Sequence, residues 1–128
     1  MIDVKKLMTK ILDKLTTKSW TPTISRTSGG TVSNVLGRRC GNVVTLRFTV
    51  TYSTSVNPTS STRDVFVGTL TNADYLPPFA TFAPTYFTNI PIICQLTGAG
   101  TITCRVTGTQ AVTISSGCTF ALTYIVDD

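Results

Sequence analysis

Any chemistry in this sequence must come from aspartate, cysteine, arginine or tyrosine, because the 128-residue chain has no histidine and no glutamate. A Ser-His-Asp or Cys-His relay cannot be assembled within one chain. Zinc sites that use histidine are excluded with it. The six carboxylate side chains are all aspartates. Asp127 and Asp128 are terminal, and Asp3 and Asp13 fall in a helical segment. Asp64 and Asp74 fall at strand or loop edges, where they could form the acid and base of a glycoside-cleaving pair. Isolated aspartates at loop edges are ordinarily turn formers, however. The chain therefore reads as non-catalytic.

Cys40, Cys94, Cys104 and Cys118 show no C-x-x-C spacing, so neither a metal nor a redox motif is indicated, and no cofactor is implied. A three-residue hairpin loop at Gly98-Ala99-Gly100 would pair Thr97 with Thr101, and counting outward sets Cys94 opposite Cys104. That geometry admits a cross-strand disulfide, but a chain made in the cytoplasm more often keeps such residues as small buried thiols. Free thiols are the preferred reading. Gly98-Ala99-Gly100 precedes a strand and not a helix, which argues for a hairpin and against a phosphate loop.

Arg38 and Arg39 would point to opposite faces of a strand, so they cannot form one anion-binding patch. Trp20, the sole tryptophan, follows the helical segment and reads as a packing residue at the junction with the sheet. Several aromatics between Tyr75 and Phe87 are expected in the core, since Phe79, Phe82 and Phe87 have no polar handle. Tyr75 and Tyr86 suit an exposed surface better.

These residues need elements to hold them. Met1, Val4, Met8, Ile11 and Leu15 recur at alternating spacings of three and four, with Leu7 and Leu12 widening the stripe. That pattern predicts an amphipathic helix within residues 1–18, capped by Asp3 and ended near Thr16, Thr17 and Pro22. A helix this short is marginal alone, so it must pack on its own domain or on copies of itself.

After Trp20 the period becomes two. Over 43–54, Val44, Leu46, Phe48, Val50 and Tyr52 face one way and Thr45, Arg47, Thr49 and Thr51 the other. Further strands are expected over 33–39, 63–70, 92–97, 101–107 and 118–126, with a shorter one over 110–115. A turn at Cys40-Gly41-Asn42 would join the first two strands. The polar loop 53–62 and a long, aromatic, irregular connection over 71–91 separate them. About eight short antiparallel strands point to an all-β sandwich or small barrel over residues 19–128; a jelly-roll-like sandwich is the expectation, with Greek-key connectivity the alternative that alternation does not distinguish.

The formal charge is +5, but all five lysines lie between Lys5 and Lys18. The remainder is close to neutral, which argues against a nucleic-acid partner. No apolar run approaches the ~20 residues of a membrane span. Lys10, Asp13 and Lys14 interrupt any signal-like segment, so synthesis in the cytoplasm is expected.

The order of these features resembles the C-terminal head domains of phage tail fibres, receptor-binding proteins and phage minor structural proteins. The resemblance spans nearly the whole chain. It rests on LDKLTTKSW, where a helix leads into a tryptophan, on GRRCGNVVTLRFTVT, on VGTLTNADYLPPFATFAP, and on GTITCRVTG followed by FALTYIV. The sequence departs from the commoner form in Asn72-Ala73-Asp74-Tyr75 and in its four cysteines.

The resemblance implies a homotrimer in which Val4, Met8, Ile11 and Leu15 line a three-fold helical seam at the tip of a phage tail. The expected partners are a host cell-surface saccharide and other tail proteins. Repeating a weak sugar site in each copy would supply avidity. Contacts are expected from loops, since loops vary while strands hold position. The candidates are Asn57 and Arg63 in one loop, Asn72, Asp74 and Tyr75 in another, and Tyr86. The competing expectation is a trimerisation or capping module without its own receptor site, and a third is a depolymerase using Asp64 and Asp74.

Overall fold

The computed structural model describes residues 3–59, 61, 63–108 and 111–127. Met1 of the helical stripe, and Gln110 at the start of the strand expected over 110–115, lie outside them. Helix α1 spans Val4–Leu15, and the Asp3 side chain caps it by accepting from the Lys6 amide at 3.1 Å. It ends where the Thr16 amide reaches the Leu12 carbonyl.

Among the described residues nine strands follow: β1 Thr17–Trp20, β2 Ile24–Gly29, β3 Thr31–Cys40, β4 Val43–Thr51, β5 Asp64–Leu70, β6 Thr81–Phe87, β7 Ile90–Leu96, β8 Thr101–Val106 and β9 Cys118–Ile125. They form two antiparallel sheets, ordered β1-β3-β4-β9 and β2-β5-β8-β7-β6. The chain is an all-β sandwich with a short N-terminal helix. In the second sheet β6, β7 and β8 form a meander and β5 returns beside β8, a Greek key that alternation alone does not specify.

The core follows the period-two pattern. Val44, Leu46, Phe48 and Val50 of β4 are fully buried, with Phe120 and Leu122 of β9 beside them and Phe66, Ile92, Leu96 and Ile102 from the opposing sheet. Phe48 sits at the centre, its ring 5.5 Å from that of Phe120 and 6.2 Å from that of Phe66. Such tilted pairs suit the ring quadrupoles. The β3–β4 turn holds Gly41 at φ 59°, the positive φ that a two-residue hairpin turn demands at its first central position.

The structure departs from the sequence expectations in four places. The connection 71–91 is not irregular throughout: a 3-10 turn, Ala73–Tyr75, is followed by β6. Pro84 concealed the strand, but β6 is the last strand of its sheet, where proline can be tolerated. Strands β1 and β2 were not expected, because β2 is polar on both faces and its form is imposed by pairing with β5. Over 111–115 a single bridge between Val56 and Ile114 stands where a strand was expected. Phe79 and Phe82, expected with the core aromatics, are 82% and 62% exposed, while Phe87 is half-buried.

Candidate functional site

Strand direction gives the sandwich two ends. The helix enters beside Cys40, which pairs with Thr17, and the end holding Val43, Ile125 and Leu70 is therefore the helix end. Thr51, Cys118 and Asp64 mark the far end, where residues 52–59, 61 and 63, the turn at Thr88 and Asn89, and residues 107–108 and 111–117 gather.

Asn72, Asp74 and Tyr75 lie at the helix end. The Asn72 side chain donates to the Thr21 carbonyl at 3.1 Å and accepts from the Thr23 amide at 2.7 Å, tying the β1–β2 link to the end of β5. Tyr75 stacks on Trp20 with centroids 4.0 Å apart and planes 2° from parallel. The Arg39 guanidinium lies over the Tyr75 ring at 5.7 Å. Trp20 is thus a packing residue, held at the end of β1 between the Tyr75 ring and the β3 backbone at Gly37. Asp74 lines an open groove of about 530 Å³ with Arg39, Tyr75, Pro78 and Asp127.

Asn57 and Arg63 lie at the far end and hold the loops together. The Asn57 side chain accepts from the Thr113 hydroxyl at 2.8 Å. Arg63 donates to the carbonyls of Pro58, Thr59 and Thr107 at 3.3 to 3.4 Å. Five of the six candidates therefore have structural contacts or line a groove built from such contacts. Tyr86, on the outer side of β6, is 71% exposed.

Asp64 and Asp74 are not brought together. Asp64 opens β5, and Asp74 sits beyond its far terminus at Leu70. The strand alone sets them on the order of 20 Å apart at ~3.3 Å per residue, whereas glycoside-cleaving pairs stand about 5–10 Å apart. Asp64 instead accepts from Arg105 Nε at 2.8 Å.

That ion pair belongs to a surface which single-strand patterns did not disclose. On the outer face of the second sheet, register aligns Phe82, Gln95 and Thr103 in one row and Pro84, Ile93, Arg105 and Asp64 in the next. All of these but Pro84 border an open groove of about 390 Å³. A register shift between Asp64 and Phe66 brings the carboxylate to this face: Val65 and Phe66 are both buried, so Asp64 turns outward to meet Arg105. Without that bulge strict alternation would turn the carboxylate inward. Extending the count from Cys94 and Cys104 by one residue sets Ile93 beside Arg105, a signal available in the sequence. Phe82 could not be placed, because β6 was not expected.

Cys94 lies opposite Cys104 in the register, and both are buried free thiols. The hydrogen bond with Cys94, together with burial, holds the Cys104 thiol far above the ordinary thiol range. Among the described residues no group of three or more aspartates and cysteines is placed to hold a metal. No described helix is long and apolar enough to cross a membrane. The stripe of α1 does not dock on the sheets: Val4, Met8, Ile11 and Leu15 are all exposed, with Leu7 and Leu12 beside them.

No protein-family model, curated protein or solved structure matches the chain.

Proposed function

We propose that this chain is the host-recognition tip of a bacteriophage tail fibre or related tail protein, acting as a homotrimer that attaches to a host cell-surface saccharide. The observation that carries the reading is the apolar stripe of α1, which is exposed in a single chain from Val4 to Leu15. Exposing so many large apolar side chains is unfavourable, and burying each is worth roughly 1.5–3 kcal/mol. Copies of the same helix would cover them. Met8 and Leu15 then take a positions and Val4 and Ile11 d positions, with Leu7 and Leu12 broadening the seam beyond what a dimer needs.

The two ends of the sandwich fit that assembly. The helix joins one end, and the loops cross-tied by Asn57 and Arg63 cap the other. A stem on one side would leave the far end and the sheet faces to meet a cell. Recognition without turnover agrees with the separation of Asp64 from Asp74. The virion is then the place of action, with other tail proteins as partners and the host cytoplasm as the place of synthesis.

Light scattering together with whole-cell and glycan-array binding tests the proposal. The expected result is a mass near three times 13.8 kDa and saturable binding to one class of bacterial surface. A trimer that binds no cell or glycan would make the chain a capping module, and a monomer at all concentrations would overturn the assembly.

A further inference from the structure

We propose that the outer-face groove bordered by Phe82, Ile93, Gln95, Thr103, Arg105 and Asp64 is a subsite for one neutral pyranose ring. The inference rests on the saccharide-recognition reading and names the place and ligand class that reading lacks.

Three observations meet at the groove. First, Phe82 stands 62% exposed on β6 while its neighbour Ala83 is buried, so the strand presents an aromatic ring to solvent at the groove wall. An aromatic face so presented suits the C–H face of a pyranose, which is itself apolar. Second, the bulge at Val65 turns Asp64 out to its 2.8 Å contact with Arg105. Bulges recur beside functional sites because they re-aim a side chain. The fixed pair offers a carboxylate acceptor and guanidinium donors side by side, the pattern that two adjacent sugar hydroxyls satisfy.

Third, the charges cancel. Asp64 and Arg105 form an ion pair, and Gln95 and Thr103 add only neutral donors and acceptors. A carboxylated or sulfated sugar would face the Asp64 carboxylate as well as Arg105, so a neutral ring is favoured. The volume of about 390 Å³ lies in the range of small-ligand sites and admits one ring. The groove is open, so affinity for a single ring will be low, as a multivalent tip requires.

The test is nuclear magnetic resonance on the full chain, titrated with methyl glycosides of glucose, galactose, mannose and N-acetylglucosamine, and with methyl glucuronide as the acidic probe. At least one neutral glycoside is expected to shift the amides of Gln95, Thr103 and Arg105 saturably. Both Phe82→Ala and Asp64→Asn should weaken that binding about tenfold or more, the scale set by losing a stacked ring or a charge-assisted hydrogen bond. Phe79→Ala, which removes an exposed ring outside the groove lining, should leave it unchanged.

Shifts confined to the far-end loops, or full binding by both groove variants, would overturn the subsite while leaving saccharide recognition standing. A response to glucuronide alone would overturn the neutral ligand class. Broadening of the groove amides with protein concentration and no glycoside would make the face a contact between copies and also sink the proposal. A wild-type chain that binds neither cells nor any glycan would remove the function on which the subsite rests.

Discussion

At the scale of single residues, the side chains that pattern reading selects as binders mostly do architectural work. Asn72 bridges two backbone groups across a loop junction, so Asn72→Ala should cost about 1–2 kcal/mol, a scale set by two lost hydrogen bonds. Urea unfolding measures it, and an unchanged midpoint would contradict the bridging role. Gly37 is the sharper case. A Cβ there would lie 2.5 Å from the Trp20 ring, because the indole lies across the Gly37 backbone. Gly37→Ala should displace Trp20 from its stack on Tyr75 and destabilise by roughly 1–3 kcal/mol. A shift in tryptophan fluorescence should accompany the loss.

At the scale of elements, the β6–β7 hairpin and helix α1 make contrasting demands. The hairpin turns on Thr88 at φ 46° and Asn89 at φ 69°, both in the left-handed region that a two-residue type I′ turn requires. Asparagine tolerates that region, but a β-branched threonine is strained in it. Replacing Thr88-Asn89 by Asn-Gly should therefore stabilise by about 0.5–1 kcal/mol, read as a higher unfolding midpoint. For the helix, Ile11→Asp places a charge in the proposed seam. The expected result is a fall in mass to one copy with the far-ultraviolet β signal retained. Retention of the trimer would place the assembly interface elsewhere.

At the scale of the whole molecule, burial of ionisable groups sets the alkaline limit of the fold. Burial raises Tyr52 and Tyr124 above their ordinary value of 10.0, and their hydroxyls donate to the carbonyls of Val65 and Tyr75. Cys118 is raised above 9.0 by burial, and Cys104 by its bond to Cys94 and by burial. Below about pH 8 both folded and unfolded chains keep these protons, and this contribution to stability is fully present. As pH rises further the unfolded chain ionises first and binds fewer protons than the folded one, so stability falls. Thermal unfolding followed from pH 7 to 11 should show the midpoint dropping from about pH 8 upward. Replacing Tyr52 by phenylalanine should lessen the slope, and a flat profile would contradict burial of these groups.

Much of the sandwich is written in local chemistry. The alternation from Val44 to Tyr52, the Asp3 cap and the Cys94–Cys104 register were all legible, because period and capping depend on neighbours in the chain. Strand β2 and edge strand β6 were hidden, since pairing partners imposed an extended form on polar or proline-bearing segments. The groove was hidden for the same reason: Phe82, Gln95, Thr103 and Asp64 lie on four strands, and only hydrogen-bonded register sets them side by side. By itself the sequence determined the two-layer β architecture and its lack of histidine chemistry, because composition and periodicity are properties of the chain. Tertiary structure alone decided that Asp64 meets Arg105 and not Asp74, because a one-residue bulge turned its side chain and the length of β5 held the two carboxylates apart.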